Sequence, residues 1–438
     1  MLAQIIFAVC LGIAGFFIFR SARKIYRNIH LGRDFKPEGP RSERIKKMLL
    51  VAFGQSKMFH RPIPAILHLF IYIGFLIVNL EMLEIIIDGL FGTHRVFAAP
   101  LGRAYPFVIN VFEFFAVSVI IVCGIFLYRR NVLRIKRFHK PELKGWPFKD
   151  GNVILVFEII LMCAFLNMNA TDLMLQQKGA EHYHTTGSFF FSGLFYNIYH
   201  NTSIDTLIAL ERISWWIHII GVMVFANYLP YSKHLHILLA FPNTYFSKLD
   251  PAGKFKNMPA VTTEVKSMLG LSTENTPPAD PNALLRFGAK DVQDLNWKNL
   301  LDAYTCTECG RCTAECPANI TGKKLSPRKI MMDTRDRAEE VGRIIDAKGK
   351  FEDDGKTLIG DPYITKEELL ACTTCNACVE ACPVNINPLE IILELRRYMV
   401  MEESKAPNSW NAMFGNVENN QAPWKFPAGD RLNWKDLT

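Results

Sequence analysis

The chain has 438 residues, 50% hydrophobic and 21% charged, with a formal net charge of +8. Its mean hydropathy of only +0.10 excludes a polytopic membrane protein throughout. The basic excess does not mark a nucleic-acid binder, because it is concentrated in two loops where membrane topology accounts for it.

Five apolar runs approach the roughly 20 residues that a membrane helix needs. They are 2–19, 63–87, 107–128, 153–168 and 207–228; the fourth is the shortest and contains Glu158. The first run lacks a basic flank before it and is long for a signal peptide, so we read it as a retained helix. Between helices one and two, residues 20–61 carry 12 Lys and Arg; residues 129–149 carry 8. The opposite loops, 88–106 and 170–206, carry 2 and 1. The positive-inside rule then predicts an N-terminus outside the cell, with everything after helix five inside.

Ionisable side chains within a membrane are costly and are commonly functional. His60 and His68 stand at the start of helix two; His218, His234 and His236 stand along or just after helix five. Histidines facing one another across two helices are a usual way to hold haem b. Helices two and five run antiparallel. Depth therefore pairs His68 with His218 as an outer site, and His60 with His234 or His236 as an inner one. At about 100° per residue, the 18 positions from His218 to His236 return to the same face, whereas the 16 to His234 do not. The expectation is two b haems, with His236 as the inner ligand if the helix stays regular through Pro230. His94, His182, His184 and His200 fall in the outer loops and read as surface histidines.

Residues 246–298 read as a linker, marked by Pro-Pro-Ala-Asp-Pro at 277–281, with a short helix over 296–303. Eight of the eleven cysteines then form two copies of one pattern. The first is Cys306-Thr-Glu-Cys309-Gly-Arg-Cys312-Thr-Ala-Glu-Cys316-Pro317. The second, 66 residues on, is Cys372-Thr-Thr-Cys375-Asn-Ala-Cys378-Val-Glu-Ala-Cys382-Pro383. This is the spacing of [4Fe–4S] proteins, in which the fourth cysteine of each run serves the other cluster. Cluster one is therefore expected on Cys306, Cys309, Cys312 and Cys382, and cluster two on Cys372, Cys375, Cys378 and Cys316. Zinc usually takes two separated pairs of ligands, and disulfides do not suit a reducing cytoplasm. Cys10, Cys123 and Cys163 sit singly in apolar runs and read as small hydrophobes.

Ser326-Pro327 and Asn387-Pro388 are cap-and-proline signals opening helices to about residues 346 and 401. The 66-residue period suits a helical ferredoxin fold. The predicted class is thus all-α: a five-helix haem b bundle over 1–245, the linker, a cytoplasmic two-cluster ferredoxin domain over 299–403, and a tail over 404–438. Trp410, Trp424 and Trp434 mark that tail as a docking segment.

A family resemblance is carried by Leu67-His68-Leu69-Phe70-Ile71, Gly74-Phe75, Trp216-Ile217-His218 and Tyr231-Ser232-Lys233-His234-Leu235-His236. On these residues the first half resembles the cytochrome b (gamma-type) subunits of respiratory nitrate reductase and the membrane subunits of heterodisulfide reductase. The second half resembles heterodisulfide reductase iron–sulfur proteins through Leu301-Asp302-Ala303-Tyr304, Gly310-Arg311-Cys312, Gly322-Lys323 and Leu325-Ser326-Pro327-Arg328. The resemblance implies a quinone site, for menaquinone or ubiquinone, near the outer haem. Glu81, Glu84, Asp88, Glu211 and Arg212 are its candidates. It also implies an oxidoreductase subunit in the cytoplasmic membrane of a bacterium or archaeon, passing electrons to or from a cytoplasmic partner. Members acting on disulfides carry a cysteine-rich CCG domain after the clusters. No cysteine follows Cys382, so a separate CCG-type or flavoprotein subunit is the expected partner. The alternative is a non-catalytic anchor and electron relay without a quinone site of its own.

Overall fold

A computed structural model describes residues 1–251, 253–271 and 287–437; the proline-rich stretch 277–281 lies outside the described residues. Long helices build the first half: α1 (Leu2–Ile29), α2 (Pro62–Phe91), α3 (Tyr105–Asn131), α4 (Trp146–Gln177) and α5 (Ile204–Tyr228). Five helical segments are long and apolar enough to cross a membrane. In lipid a helix satisfies its own backbone, which is why apolar runs of this length fold so. The ends are set locally. Proline stands in the first turn of α2, α3 and α4, where no intrahelical N–H is needed. Ser203 caps α5 by accepting from the Thr206 N–H at 3.3 Å. Gly92 ends α2 in the left-handed conformation.

α4 packs along α5, α3 lies between α2 and α4, and α1 leans on α2 and α5. Phe7, Ile109, Phe165 and Ile219 fill the bundle core. α4 is longer than its apolar run predicts at both ends. Hydropathy drops after Met168, yet Asn169, Thr171, Asp172 and Gln176 continue the helix buried. Paired polar groups, rather than solvent, take over there.

α5 is shorter than the histidine argument requires. After Tyr228 come two 3₁₀ turns, Leu229–Tyr231 and Lys233–Leu235, before α6 (His236–Tyr245) begins. Pro230 lies in the first of them, and the regular helix from His218 to His236 does not exist.

The second half contains α7 (Trp297–Thr305), α8 (Pro327–Lys348), α9 (Pro388–Arg397) and α10 (Asn408–Asn420). Among the described residues there is no β-strand, only two isolated bridges. Ser326 accepts from the Lys329 N–H at 3.4 Å and Asn387 from the Glu390 N–H at 3.2 Å, the two caps read in the sequence. The tail contains α10 and a 3₁₀ segment, Ala428–Leu437, with Trp424 and Trp434 exposed.

The end of the expected linker is part of the core. Ala289, Val292 and Leu295 are buried with Leu300, Ile330 and Ile391, and Ile29 and Leu235 of the first half join the same cluster. Residues 31–33 and 295–297 lie backbone to backbone: Arg33 N–H donates to the Leu295 carbonyl at 2.7 Å, and Trp297 N–H to that of Arg33 at 3.0 Å. A side chain at Gly32 would strike the Leu295 carbonyl at 2.6 Å. Trp297 packs against His30, Phe35 and Phe246. The cysteine-bearing half is thus seated on one end of the helix bundle, here termed the cluster end.

Candidate functional site

The two cysteine loops repeat in geometry as well as in spacing. Glu308 and Gly310 in the first, and Thr374 and Asn376 in the second, occupy equivalent places with φ of 54°, 70°, 57° and 62°. Left-handed residues at these points curl each loop around its own cysteines. Gly310 has a second reason to be glycine, since a side chain there would collide with the buried Arg328 guanidinium.

The fourth cysteines cross over. Cys382 lies within electrostatic reach of Cys306, Cys309 and Cys312, and Cys316 within that of Cys372 and Cys378. Burial pushes the Cys306 and Cys378 thiols up to about 12 and Cys382 up to about 11, so thiolates here need a cation to balance them. Among the described residues no three His, Cys, Asp or Glu are gathered tightly enough for a single metal ion. A cubane asks for a wider arrangement, with one thiolate per iron, and the crossed sets of four suit it. The Cys372 and Cys382 sulfurs each accept a backbone N–H, from Thr374 at 3.4 Å and Ile386 at 3.3 Å.

The first cluster loop faces the bundle. Buried Arg311 donates to the Lys57 and Met58 carbonyls at 3.4 Å, and Arg61 pairs with Glu315 at 2.6 Å. Lys233 reaches Glu308 at 2.8 Å. Arg311 lies within electrostatic reach of Cys309 and Cys382 on one side and of His68 on the other. The second loop also meets the bundle end, Lys57 donating to the Val379 carbonyl at 3.3 Å, and its Cys375 is exposed.

The histidines are arranged differently from the depth-based pairing. His68 stands opposite His236, ring centroids 6.4 Å apart, rather than opposite His218. With metal–nitrogen bonds of about 2 Å and each ring's half-width added, two imidazoles on one iron set their centroids roughly 6 Å apart. The Nδ1 of His68 bonds Gln55 Oε1 at 3.2 Å, and the Nδ1 of His236 donates to the Lys233 carbonyl at 2.9 Å. Such anchoring of one ring nitrogen is how metal-binding histidines are oriented, leaving Nε2 for the metal. This pair fits a haem iron. Burial holds His236 below its ordinary value, in the neutral form that ligates.

His218 is buried deeper in the bundle, its Nδ1 donating to the Leu161 carbonyl at 2.9 Å and its ring against Phe165. No histidine faces it among the described residues. His60 lies exposed at the end of the 3₁₀ turn Ser56–His60. His234 is half-buried beside His236, its buried Nδ1 without a hydrogen-bond partner.

At the opposite end of the bundle, α1, α2, α4 and α5 surround a cavity of ≈ 170 Å³. Glu81, Glu84, Asp88, Glu211 and Arg212 all line it, so the structure brings the five sequence candidates together. It also separates their roles. Glu84 accepts from Phe97 N–H and Tyr105 O–H, and Asp88 from Thr93 and Arg95, so both hold the loop after α2 in place. Glu211 pairs with Arg212 and accepts from Tyr183 O–H at 3.2 Å. Glu81 is 2% exposed and its two oxygens have no hydrogen-bond partner, Arg95 standing 3.8 Å away.

Sequence reasoning missed His94, Arg95 and Asp172. His94 lines the cavity and bonds Asp172 at 3.0 Å; buried Arg95 bonds Asp172 at 2.7 Å and Asn169 at 2.7 Å. A signal was available: Asn169, Asp172 and Gln176 fall on one helical face immediately after the fourth apolar run.

Residues 305–386 match the family model described as 4Fe-4S dicluster domain. The chain is 28% identical, over 93% of its length and 57% of the relative's, to the "Probable iron-sulfur-binding oxidoreductase FadF" of Bacillus subtilis. It is 26% identical, over 90% of its length and 54% of the relative's, to the "EtfAB:quinone oxidoreductase" of Syntrophomonas wolfei. It is also 29% identical, over 33% of its length and 35% of the relative's, to one of the subunits of the dihydromethanophenazine:CoB–CoM heterodisulfide reductase of Methanosarcina mazei. The chain thus spans little more than half the length of the first two curated relatives. No solved structure gives a significant match. The chain is therefore a relative of iron–sulfur oxidoreductases and of heterodisulfide reductase subunits, carrying a 4Fe-4S dicluster domain within residues 305–386.

Proposed function

We propose that the chain is the electron-transfer subunit of a membrane-bound, quinone-linked oxidoreductase. The observation that carries this reading is an ordered series through one molecule. A polar cavity lies at the far end of the bundle, the His68–His236 pair lies toward the cluster end, Arg311 of the first cysteine loop lies within electrostatic reach of His68, and exposed Cys375 lies on the second loop. Cys306, Cys309, Cys312 and Cys382 hold one [4Fe–4S] cluster; Cys372, Cys375, Cys378 and Cys316 hold the other. His68 and His236 hold a b haem, and His218 is the candidate ligand of a second nearer the cavity. The haems and clusters supply one-electron transfer.

The cavity takes the quinone headgroup. A cavity of about 150 Å³ admits a benzene-sized ring, and Trp215 and Trp216 give this one aromatic walls. The name of the Syntrophomonas relative, which includes quinone, supports the same substrate class. By the positive-inside rule the clusters lie in the cytoplasm and the cavity toward the outer face. The cytoplasmic partner is a flavoprotein or a CCG-type protein meeting the second cluster loop.

The test uses the purified chain. A quinol analogue is added and the haem b absorption followed, with iron, acid-labile sulfide and haem determined on the same sample. The expected result is about eight iron and eight sulfide per chain in clusters, and haem reduction by quinol without any partner. A haem indifferent to quinol means a relay lacking a quinone site. Zinc in place of iron and sulfide overturns the cluster assignment.

A further inference from the structure

The cavity holds two groups whose hydrogen bonding is incomplete. Glu81 on α2 is almost fully buried, lines the cavity, and has no hydrogen-bond partner on either oxygen. His94, on the loop after α2, also lines it, with its side chain 19% exposed. Its Nε2 is held by Asp172 at 3.0 Å, and Asp172 is in turn fixed by Arg95. Its Nδ1 is buried with no partner. A histidine with one nitrogen on a buried carboxylate and the other left free is oriented as a proton acceptor, the carboxylate stabilising the imidazolium that forms.

We propose that His94 and Glu81 are the two proton-transfer groups of this cavity, with Asp172 as the residue that positions His94. This rests on the quinone reading above and adds the chemistry the cavity performs. In quinol oxidation two O–H bonds break. One proton passes to His94 Nδ1 and the other to the Glu81 carboxylate; two electrons leave singly to a b-type haem, and two C=O bonds form. Quinone reduction is the same sequence reversed, each group returning its proton. Two protons require two acceptors, and these are the cavity-lining groups with a buried, unpartnered polar atom among the described residues.

The charged and titratable groups around His94 come from every adjoining element. Asp88 and Arg95 flank it on its own loop, Asp172 stands behind it on α4, and Tyr183 packs its ring edge-on at 5.0 Å. Glu81 and Glu84 on α2, and Glu211 and Arg212 on α5, complete the cavity. Glu84, Asp88 and Glu211 are committed to other hydrogen-bond donors, which leaves Glu81, beside Arg95 at 3.8 Å, as the carboxylate that accepts no hydrogen bond.

The experiment uses the full haem-loaded chain, with wild type compared to His94→Gln, Glu81→Gln and Asp172→Asn. Two quantities are read. One is the dissociation constant of a fluorescent hydroxyquinoline N-oxide, a quinol analogue, from pH 5 to 9. The other is the rate of haem reduction by quinol over the same range. The expected result is analogue affinity within about tenfold of wild type in His94→Gln and Glu81→Gln, with haem content unchanged. Haem reduction slows about 100-fold or more in each. His94→Gln also changes the shape of the pH profile of the rate, and Asp172→Asn, which keeps the imidazole, changes it with haem and analogue binding intact. Rates and pH profiles like wild type, with the analogue still bound, overturn the proton-transfer assignment and leave the quinone reading standing. An analogue that does not bind wild type overturns the quinone reading itself. Variants that lose haem and analogue binding together with rate overturn the assignment in favour of a structural role.

Discussion

Arg328→Met tests how the cysteine-bearing half is held on the bundle. Arg328 is fully buried and bonds Glu142, on the segment between α3 and α4, at 2.8 Å. It also donates to the Arg137 carbonyl at 2.7 Å and, at 3.4 Å, to that of Glu308 in the first cysteine loop. One guanidinium therefore ties the bundle, the start of α8 and the loop together. Breaking a buried pair by removing one partner costs about 3–5 kcal/mol. The Ser326 hydroxyl still reaches Glu142 at 2.7 Å, so the lower end applies, about 3 kcal/mol. That is roughly a hundredfold in the equilibrium between seated and unseated halves. Pulse proteolysis of the full chain in lipid nanodiscs across a urea series reads it.

The same contact carries a pH signature. Burial pushes the Glu142 carboxyl up, but the bonds from Ser326 and Arg328 and the Arg328 charge outweigh it and leave it below its ordinary 4.5. A depressed carboxyl contributes stability that is complete above the unfolded value and is lost as pH falls through the folded one. Wild type should therefore weaken below about pH 4.5, and Arg328→Met should show a flatter acid limb. Arg328→Met/Glu142→Gln should regain part of the loss, since neither charge is then left alone. A single variant within 0.5 kcal/mol of wild type, or a double variant as costly as the sum of the singles, refutes the reasoning.

Three further outcomes are expected. His68→Ala and His236→Ala should each remove one haem by pyridine haemochrome assay, while His60→Ala leaves the count unchanged; loss of haem on changing His60 would restore the depth-based pairing. Cys382→Ser should eliminate the cluster of the first run, and Cys316→Ser that of the second, as followed by electron paramagnetic resonance and sulfide content. Gly342→Leu, on the α8 face that meets Asn28 of α1, should cost about 1–3 kcal/mol in the same proteolysis assay, because the added side chain enters the Asn28 amide.

The five helices, the capped helices α8 and α9 and the repeated cysteine loops were legible along the chain because each rests on local rules. Apolar length, a cap followed by proline, and repeated ligand spacing need no knowledge of distant neighbours. The five cavity candidates were found because an ionisable residue beside an apolar run is conspicuous. Their division of labour was not legible: Glu84 and Asp88 serve the loop, and Glu81 is left without a hydrogen bond, only because of what folds back over α2. Asp172 and His94 escaped for the related reason that a polar helix extension and a loop histidine read as solvent-facing until three-dimensional packing buries them. The linker likewise read as linker because its few apolar residues show no period, yet Val292 and Leu295 lie in the core. The angle argument for His236 extended a local rule across a break. Pro230 ends α5, so the angle from His218 to His236 is set by two turns and by the packing of α6, not by helical periodicity. Spacing along a chain specifies partners only while the backbone between them is regular; beyond that, the packing of separate elements decides which side chains meet.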